Sequence, residues 1–262
     1  MDKNLKNDFK DREAEALKSG DINDLQFLAD EIAEAGDFEW AIKLYKKAAK
    51  LAKDVVDLLS IAESIITNTD NTELPNELVK SAEKLVKETG DFANLGDYAA
   101  KFISYKSALN YYDNELSQCE KILKKGVDFQ GWDYTEKELL SQNSYLLSSI
   151  DCYIFEQDEY YLGKLQKDDI ALANSLVKKI HERILSILDN NMDLLEDDDL
   201  INSLQYLVID SVKNLDLVKK LINCLMPFDS KSDMKYVIEL IADGNLKSED
   251  KTMLLALINK KK

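Results

Sequence analysis

The sequence predicts an all-α protein. Only 8 glycines and 2 prolines interrupt its 262 residues, so long stretches are free to form helices. Alternation of β-branched and aromatic residues, which is typical of strands, occurs in no run longer than a few residues. A third observation is a helix-pair pattern that recurs three times in the first 112 residues, at intervals of 33 and then 34 residues.

The first predicted helix covers residues 7–18 and ends before Gly20, because glycine is favoured where a helix stops. The three copies of the repeat follow and begin at Asp24, Asp57 and Asp91. Each copy has an apolar residue next to a small one at the same place, which lets helices approach closely. These pairs are Leu28-Ala29, Ile61-Ala62 and Leu95-Gly96.

Each copy predicts a second helix after its first. In the first copy a turn at Gly36-Asp37 precedes Ala41 and Tyr45, and in the third copy Ala108 and Tyr112 have the same spacing. In the second copy a polar stretch over residues 67–72 precedes Pro75, which we expect in the first turn of a helix reaching residue 87.

These pairs resemble the tetratricopeptide repeat, with Leu25, Ile32 and Lys53 where that family has Trp, Tyr and Pro. The resemblance implies a right-handed helical-repeat array, an α-solenoid, in which the first helix of each pair lines a concave groove. It also implies that the residue after each small residue points into the groove. Those residues are Asp30, Glu63 and Asp97, with Gln26, Leu59 and Ala93 at the neighbouring position and Glu34 one turn beyond Asp30.

The repeat period is lost after residue 125, where glycines at 126 and 131 interrupt the helical pattern. We therefore predict an N-terminal part, residues 1–125, with the cap helix and three pairs, and a divergent helical part, residues 126–262, packed on it. The predicted helices of the divergent part cover residues 136–161, 168–188, 198–211, 214–226, 232–242 and 248–259.

Charge narrows the possible partners. Fifty acidic and 34 basic residues give a formal net charge of −16, which disfavours nucleic acid and anionic membranes. No stretch is long and apolar enough to span a membrane, and the start is charged, so we expect a cytoplasmic protein. The acidity either serves solubility alone or attracts a basic protein or peptide.

No catalytic, cofactor or metal motif is recognisable. His181 is the only histidine and lies among charged residues, so we expect a surface or half-buried structural side chain. Asp189, Asn191 and Asp193 imitate the start of a calcium loop, but Leu194 and Leu200 stand where Gly and Glu are required. The sequence therefore predicts a protein that is not an enzyme and needs no cofactor.

Two surfaces are candidates for partner binding. The first is the acidic ladder implied by the repeat, which would suit a basic ligand but could also be an ordinary solvated face. The second is an aromatic patch, either an interface or core, that comprises Trp132, Tyr134, Tyr153, Phe155, Tyr160 and Tyr161.

We therefore predict a non-enzymatic adaptor that binds a basic peptide or protein in its acidic groove. The alternative is an acidic immunity or inhibitor protein that neutralises a cationic toxin such as a nuclease. The oligomeric state is left open by the sequence.

Overall fold

The computed structural model describes residues 2–126, 132–155, 165–191, 215–225, 231–244 and 246–259, and these residues are helical with no strand among them. This confirms the predicted all-α class for the described part of the chain. Two compact units are distinguished, residues 1–98 and residues 99–262. The division falls within one helix and differs from the predicted boundary at residue 126.

The first unit begins with six helices, the last of which extends into the second unit. They are α1 (Lys3–Ser19), α2 (Ile22–Glu34), α3 (Phe38–Leu51), α4 (Val55–Asn68), α5 (Glu73–Ala82) and α6 (Asp91–Phe102). A single 3-10 turn, Glu83–Leu85, follows α5. The helix predicted to reach residue 87 therefore ends its α-helical part at Ala82. Pro75 lies in the first turn of α5, as predicted.

Local capping sets the helix boundaries of this unit. Gly20 and Gly36 adopt positive φ angles of 68° and 85°, a conformation in which glycine carries no steric penalty. Aspartate side chains then begin the following helices, because their oxygens accept otherwise unpaired N–H groups. Asp37 Oδ1 accepts from Trp40 N–H at 3.3 Å, and Asp54 Oδ1 accepts from Asp57 N–H at 2.9 Å.

The apolar faces of these helices form the core of the first unit. Helix α2 packs on α3 and α4, and α4 packs on α5. Ala29, Ala41 and Ala48 are buried at helix contacts, while Leu44 and Tyr45 fill the space between helices. Helix α1 also packs on α2, and its Phe9 ring meets Trp40 edge-on at a centroid distance of 6.2 Å.

Six further helices lie in the described residues of the second unit. They are α7 (Tyr105–Gly126), α8 (Trp132–Ile150), α9 (Lys167–Asn191), α10 (Leu215–Leu225), α11 (Lys231–Asp243) and α12 (Ser248–Asn259), with a short π-helical segment, Asp151–Phe155, after α8. The helix predicted over residues 198–211 lies outside the described residues.

Helix α7 belongs to this unit because it contacts both α8 and α9. Arg183 on α9 donates to the backbone oxygen of Leu116 at 3.0 Å and to Glu120 at 2.7 Å, both on α7. Lys179 and Asp113 form a second ion pair between these helices at 2.8 Å. The sequence grouped residues 105–125 with the N-terminal repeats, whereas these contacts hold them to the C-terminal helices.

Candidate functional site

Helices α1 and α2 form a hairpin that encloses the candidate site. The backbone N–H of Gly20 donates to the oxygen of Ala16 and closes α1, and Asp21 caps α2 by accepting from Asn23 N–H at 2.8 Å. Ser19 Oγ donates to Asp24 Oδ2 at 3.0 Å, next to the turn. The two helices therefore run antiparallel to each other on either side of this turn.

A second contact fixes the register of the hairpin. Arg12 on α1 donates from both terminal nitrogens to Glu31 on α2, at 2.6 and 2.7 Å. With Ser19 opposite Asp24 and Arg12 opposite Glu31, Glu15 on α1 lies opposite Leu28 on α2, one residue from Phe27. The hairpin thus places residues from separate stretches of sequence along one groove.

A cavity of about 740 Å³ lies in this groove. The buried side chains of Ala16 and Leu28 contribute its apolar lining. The other lining residues are Arg12, Glu15, Ser19, Asp24, Phe27, Asp30, Glu31 and Glu34. Five carboxylates therefore face one guanidinium, so the formal charge of the lining is −4. A concave site of one sign concentrates its field on ligands of the opposite sign.

The carboxylates of this cavity differ in their existing partners. Glu31 is held by Arg12, and this hydrogen bond lowers the pKa of Glu31 and raises that of Arg12. Asp24 accepts from Ser19. Glu15 and Glu34 make no hydrogen bond or ion pair with any residue the structure describes, and both are exposed. These two carboxylates are available to a ligand without loss of an internal contact.

Phe27 is the most exposed large apolar side chain among the described residues, with 65% of its surface accessible. Asp24 lies three residues before it on α2, Glu31 four residues after it and Glu34 seven residues after it. Residues at these spacings share one face of a helix. The cavity thus combines an accessible aromatic ring with flanking carboxylates.

Asp30 lines the same cavity but has a structural role. It accepts hydrogen bonds from the Tyr45 hydroxyl at 2.5 Å and from Asn68 Nδ2 at 3.0 Å, and so joins α2 to α3 and α4. Burial, followed by the hydrogen bond to Asp30, raises the pKa of Tyr45. Asp30, which was predicted as a groove residue, therefore uses its carboxylate oxygens to hold α2 to α3 and α4.

Gln26 makes a comparable contact between α2 and α4. Its Nε2 donates to Ser64 Oγ at 2.8 Å and to Ser60 Oγ at 3.0 Å. Two of the three predicted groove residues of α2, Gln26 and Asp30, therefore hold neighbouring helices in the first unit. Their part in partner binding stays a prediction.

The other predicted ladder residues do not line this cavity. Leu59 and Ala93 are buried, so their side chains offer no surface to a partner in this structure. Glu63 and Asp97 are half-buried. Burial raises the pKa of Tyr98, and the negative charge of Glu63 adds to this effect. Of the seven predicted ladder residues, only Asp30 and Glu34 reach the cavity.

The aromatic patch is described only in part. Tyr153 is half-buried, and Lys101 Nζ lies 5.8 Å from the centroid of its ring. Phe155 is exposed at the end of the π-helical segment. Trp132 begins α8, but its side chain and that of Tyr134 lie outside the described residues, as do Tyr160 and Tyr161 altogether. That the six residues form one surface stays a prediction.

The prediction that His181 is a surface or half-buried side chain is wrong. The side chain is buried in the second unit with 4% of its surface exposed, and Nε2 has no hydrogen-bond partner among the described residues. Burial lowers its pKa to about 4. The neighbours Lys178, Lys179 and Glu182 are exposed, whereas Ile180 and Ile184 are buried. His181 thus belongs to the apolar face of α9, which its charged neighbours in sequence concealed.

Sequence reasoning missed Glu15 because it treated α1 only as a cap for the array, and it missed Phe27 and Glu31 because the repeat pattern assigns neither of them to the groove. The spacing of Arg12, Glu15 and Ser19 places them on one helical face, but the role of that face depends on its register with α2.

No group of three potential metal ligands occurs in the described part of the chain. None of the described helices is long and apolar enough to cross a membrane.

No known family matches the chain, and no curated protein matches it.

Proposed function

We propose that the chain is a non-enzymatic protein-interaction module that binds a positively charged segment of another protein in the cavity between α1 and α2. One observation carries the proposal: five carboxylates and the exposed ring of Phe27 line a concave site that contains a single cation. Charge complementarity sets the partner's sign, and an aromatic side chain supplies contact area at the centre of a polar surface.

The wider setting is part of the same proposal. The helix pairs form a tetratricopeptide-like right-handed array, and the protein acts as an adaptor in the cytoplasm. The spacing of the sequence repeats and the packing of α2 on α3 and of α4 on α5 support the array.

The test is binding of a short basic peptide, containing both lysine and arginine, to the full chain by calorimetry. Glu15→Gln combined with Glu34→Gln removes the two carboxylates that make no internal hydrogen bond or ion pair. We expect each substitution to weaken binding about two- to fivefold at low salt, as for exposed charge pairs. We also expect the wild-type affinity to fall as the salt concentration rises.

A matched control separates the cavity from the general acidity of the chain. Asp70→Asn combined with Glu77→Gln changes the net charge by the same amount, at exposed residues of the first unit outside the cavity. We expect it to bind like the wild type. Equal losses in both double variants would show that the peptide responds only to the overall charge of −16, and the proposed site would be rejected.

Asp30 is left unchanged in this design. Reversing its charge would disturb the hydrogen bonds from Tyr45 and Asn68, so loss of binding could reflect loss of structure. Glu15 and Glu34 avoid this ambiguity because both side chains are exposed.

A further inference from the structure

The exposed ring of Phe27 indicates which type of cation the ligand carries. An aromatic face attracts cations, and it attracts a planar guanidinium more effectively than an ammonium, because the guanidinium also stacks on the ring. Phe27 has 65% of its surface accessible and lies on the same helix face as Glu31 and Glu34. A cation over this ring would therefore also lie near carboxylates.

The cavity already accommodates one guanidinium. Arg12 contacts Glu31 through two hydrogen bonds, at 2.6 and 2.7 Å, and its Cζ lies 5.7 Å from the centroid of the Phe9 ring. An arginine in this hairpin thus combines a two-pronged carboxylate contact with an aromatic face.

The components for a second contact of this kind are present next to the first. Glu15 lies opposite Leu28, one residue from Phe27, and Glu34 follows on the same face of α2 as Phe27. All three side chains line the cavity. Neither carboxylate has a hydrogen-bond or ion-pair partner among the described residues. Phe27, Glu15 and Glu34 therefore provide an aromatic ring and two carboxylates that the Arg12 contact does not use.

We infer that the basic segment bound in this cavity presents an arginine, whose guanidinium lies on the ring of Phe27, while Glu15 and Glu34 supply negative charge in the same cavity. This inference rests on the proposed function, since it specifies the ligand of the same cavity. It makes Phe27 the residue that distinguishes arginine from lysine, whereas the two carboxylates provide attraction to either cation.

The experiment compares two peptides of equal length and charge, one of alternating arginine and glycine and one of alternating lysine and glycine. Their affinities for the full wild-type chain are measured by calorimetry at low salt. We expect the arginine peptide to bind about twofold more tightly, because an exposed cation–π contact contributes about two- to fivefold and lysine retains part of it. Phe27→Leu should bring this ratio close to one, whereas Phe27→Tyr should preserve it.

These variants keep the test separate from folding. Phe27 is mostly exposed, so its replacement removes little buried surface. Leucine retains an apolar side chain and lacks only the aromatic face. Phe38→Leu is the matched control, because Phe38 is 48% exposed in the same unit but does not line the cavity. We expect this control to leave the ratio unchanged.

The outcomes distinguish the inference from the proposed function. Equal affinities for both peptides, lost together in the Glu15→Gln and Glu34→Gln double variant, would overturn the arginine inference and support the basic-ligand proposal. Failure of both peptides to bind would overturn both. A preference for arginine that persists in Phe27→Leu would also overturn the inference, because the preference would then arise elsewhere.

Discussion

The buried histidine of the second unit predicts a specific dependence of stability on pH. His181 is the only histidine of the chain, 4% of its surface is exposed, and its Nε2 has no hydrogen-bond partner in the described part of the chain. Protonation would place a positive charge in a desolvated site, and burial therefore lowers the pKa from 6.5 to about 4. In the unfolded chain the imidazole returns to its ordinary pKa.

Proton binding determines whether stability rises or falls with pH. Between pH 6.5 and pH 4 the unfolded chain binds a proton at His181 that the native state does not bind. Acidification therefore stabilises the unfolded state, and the native state loses stability as the pH falls through this window. Below pH 4 both states are protonated and this contribution is constant. The full loss is about 3 kcal/mol, of which about 2 kcal/mol falls between pH 7 and pH 5.

The assay is urea unfolding of the wild type and of His181→Leu across that pH range. Carboxylates also titrate there, but they are common to both proteins, so the difference between the two free energies of unfolding isolates the histidine. We expect the wild type to lose about 2 kcal/mol more than the variant between pH 7 and pH 5.

A direct check is the histidine ring signal in the NMR spectrum, which has a single source in this chain. It should not titrate in the native state above pH 5. Parallel stability curves for the two proteins, or a native histidine that titrates near pH 6.5, would refute the reasoning.

Three further predictions concern the first unit and are tested by urea unfolding. Asp30→Ala removes the acceptor of the Tyr45 and Asn68 hydrogen bonds and should cost about 2 kcal/mol; an unchanged free energy would show that these contacts do not link the helices. Ile61→Ala empties a fully buried site on α4 and should cost about 2–5 kcal/mol, whereas Val56→Ala on the same helix, at a 55% exposed residue, should change stability by less than about 0.5 kcal/mol. Gly20→Ala should cost about 1 kcal/mol through its φ of 68° alone, because no atom lies within 4 Å of the added Cβ, and equal stability would contradict that account.

Much of the helical architecture could be predicted because it depends on local signals. Residues 248–259 were predicted as a helix with the bounds that α12 has, and residues 232–242 nearly match α11. Gly20 ends α1 and Pro75 lies in the first turn of α5, because each residue favours the backbone conformation found at its position. Such signals require no knowledge of the neighbouring helices.

The candidate cavity could be predicted only in part, because it depends on how helices pair. Glu34 was identified through the repeat, but Glu15 lines the same cavity as Phe27 only through the register of α1 against α2. Leu59 and Asp30 illustrate the converse. Each lies at a position that the repeat assigns to a groove, but packing buries Leu59, and Tyr45 and Asn68 engage Asp30. Helical spacing gives the face of a residue and does not give its partners.

The central claim is that the cavity between α1 and α2 binds a basic segment, and NMR titration tests it most directly. The isotope-labelled full chain would be titrated with the arginine–glycine peptide, and the backbone amide shifts would be followed residue by residue. We predict that the saturable changes concentrate on residues 12–19 and 24–34, and that they diminish in the Glu15→Gln and Glu34→Gln double variant. Changes spread over all acidic surfaces, or confined to residues 99–262, would contradict the claim.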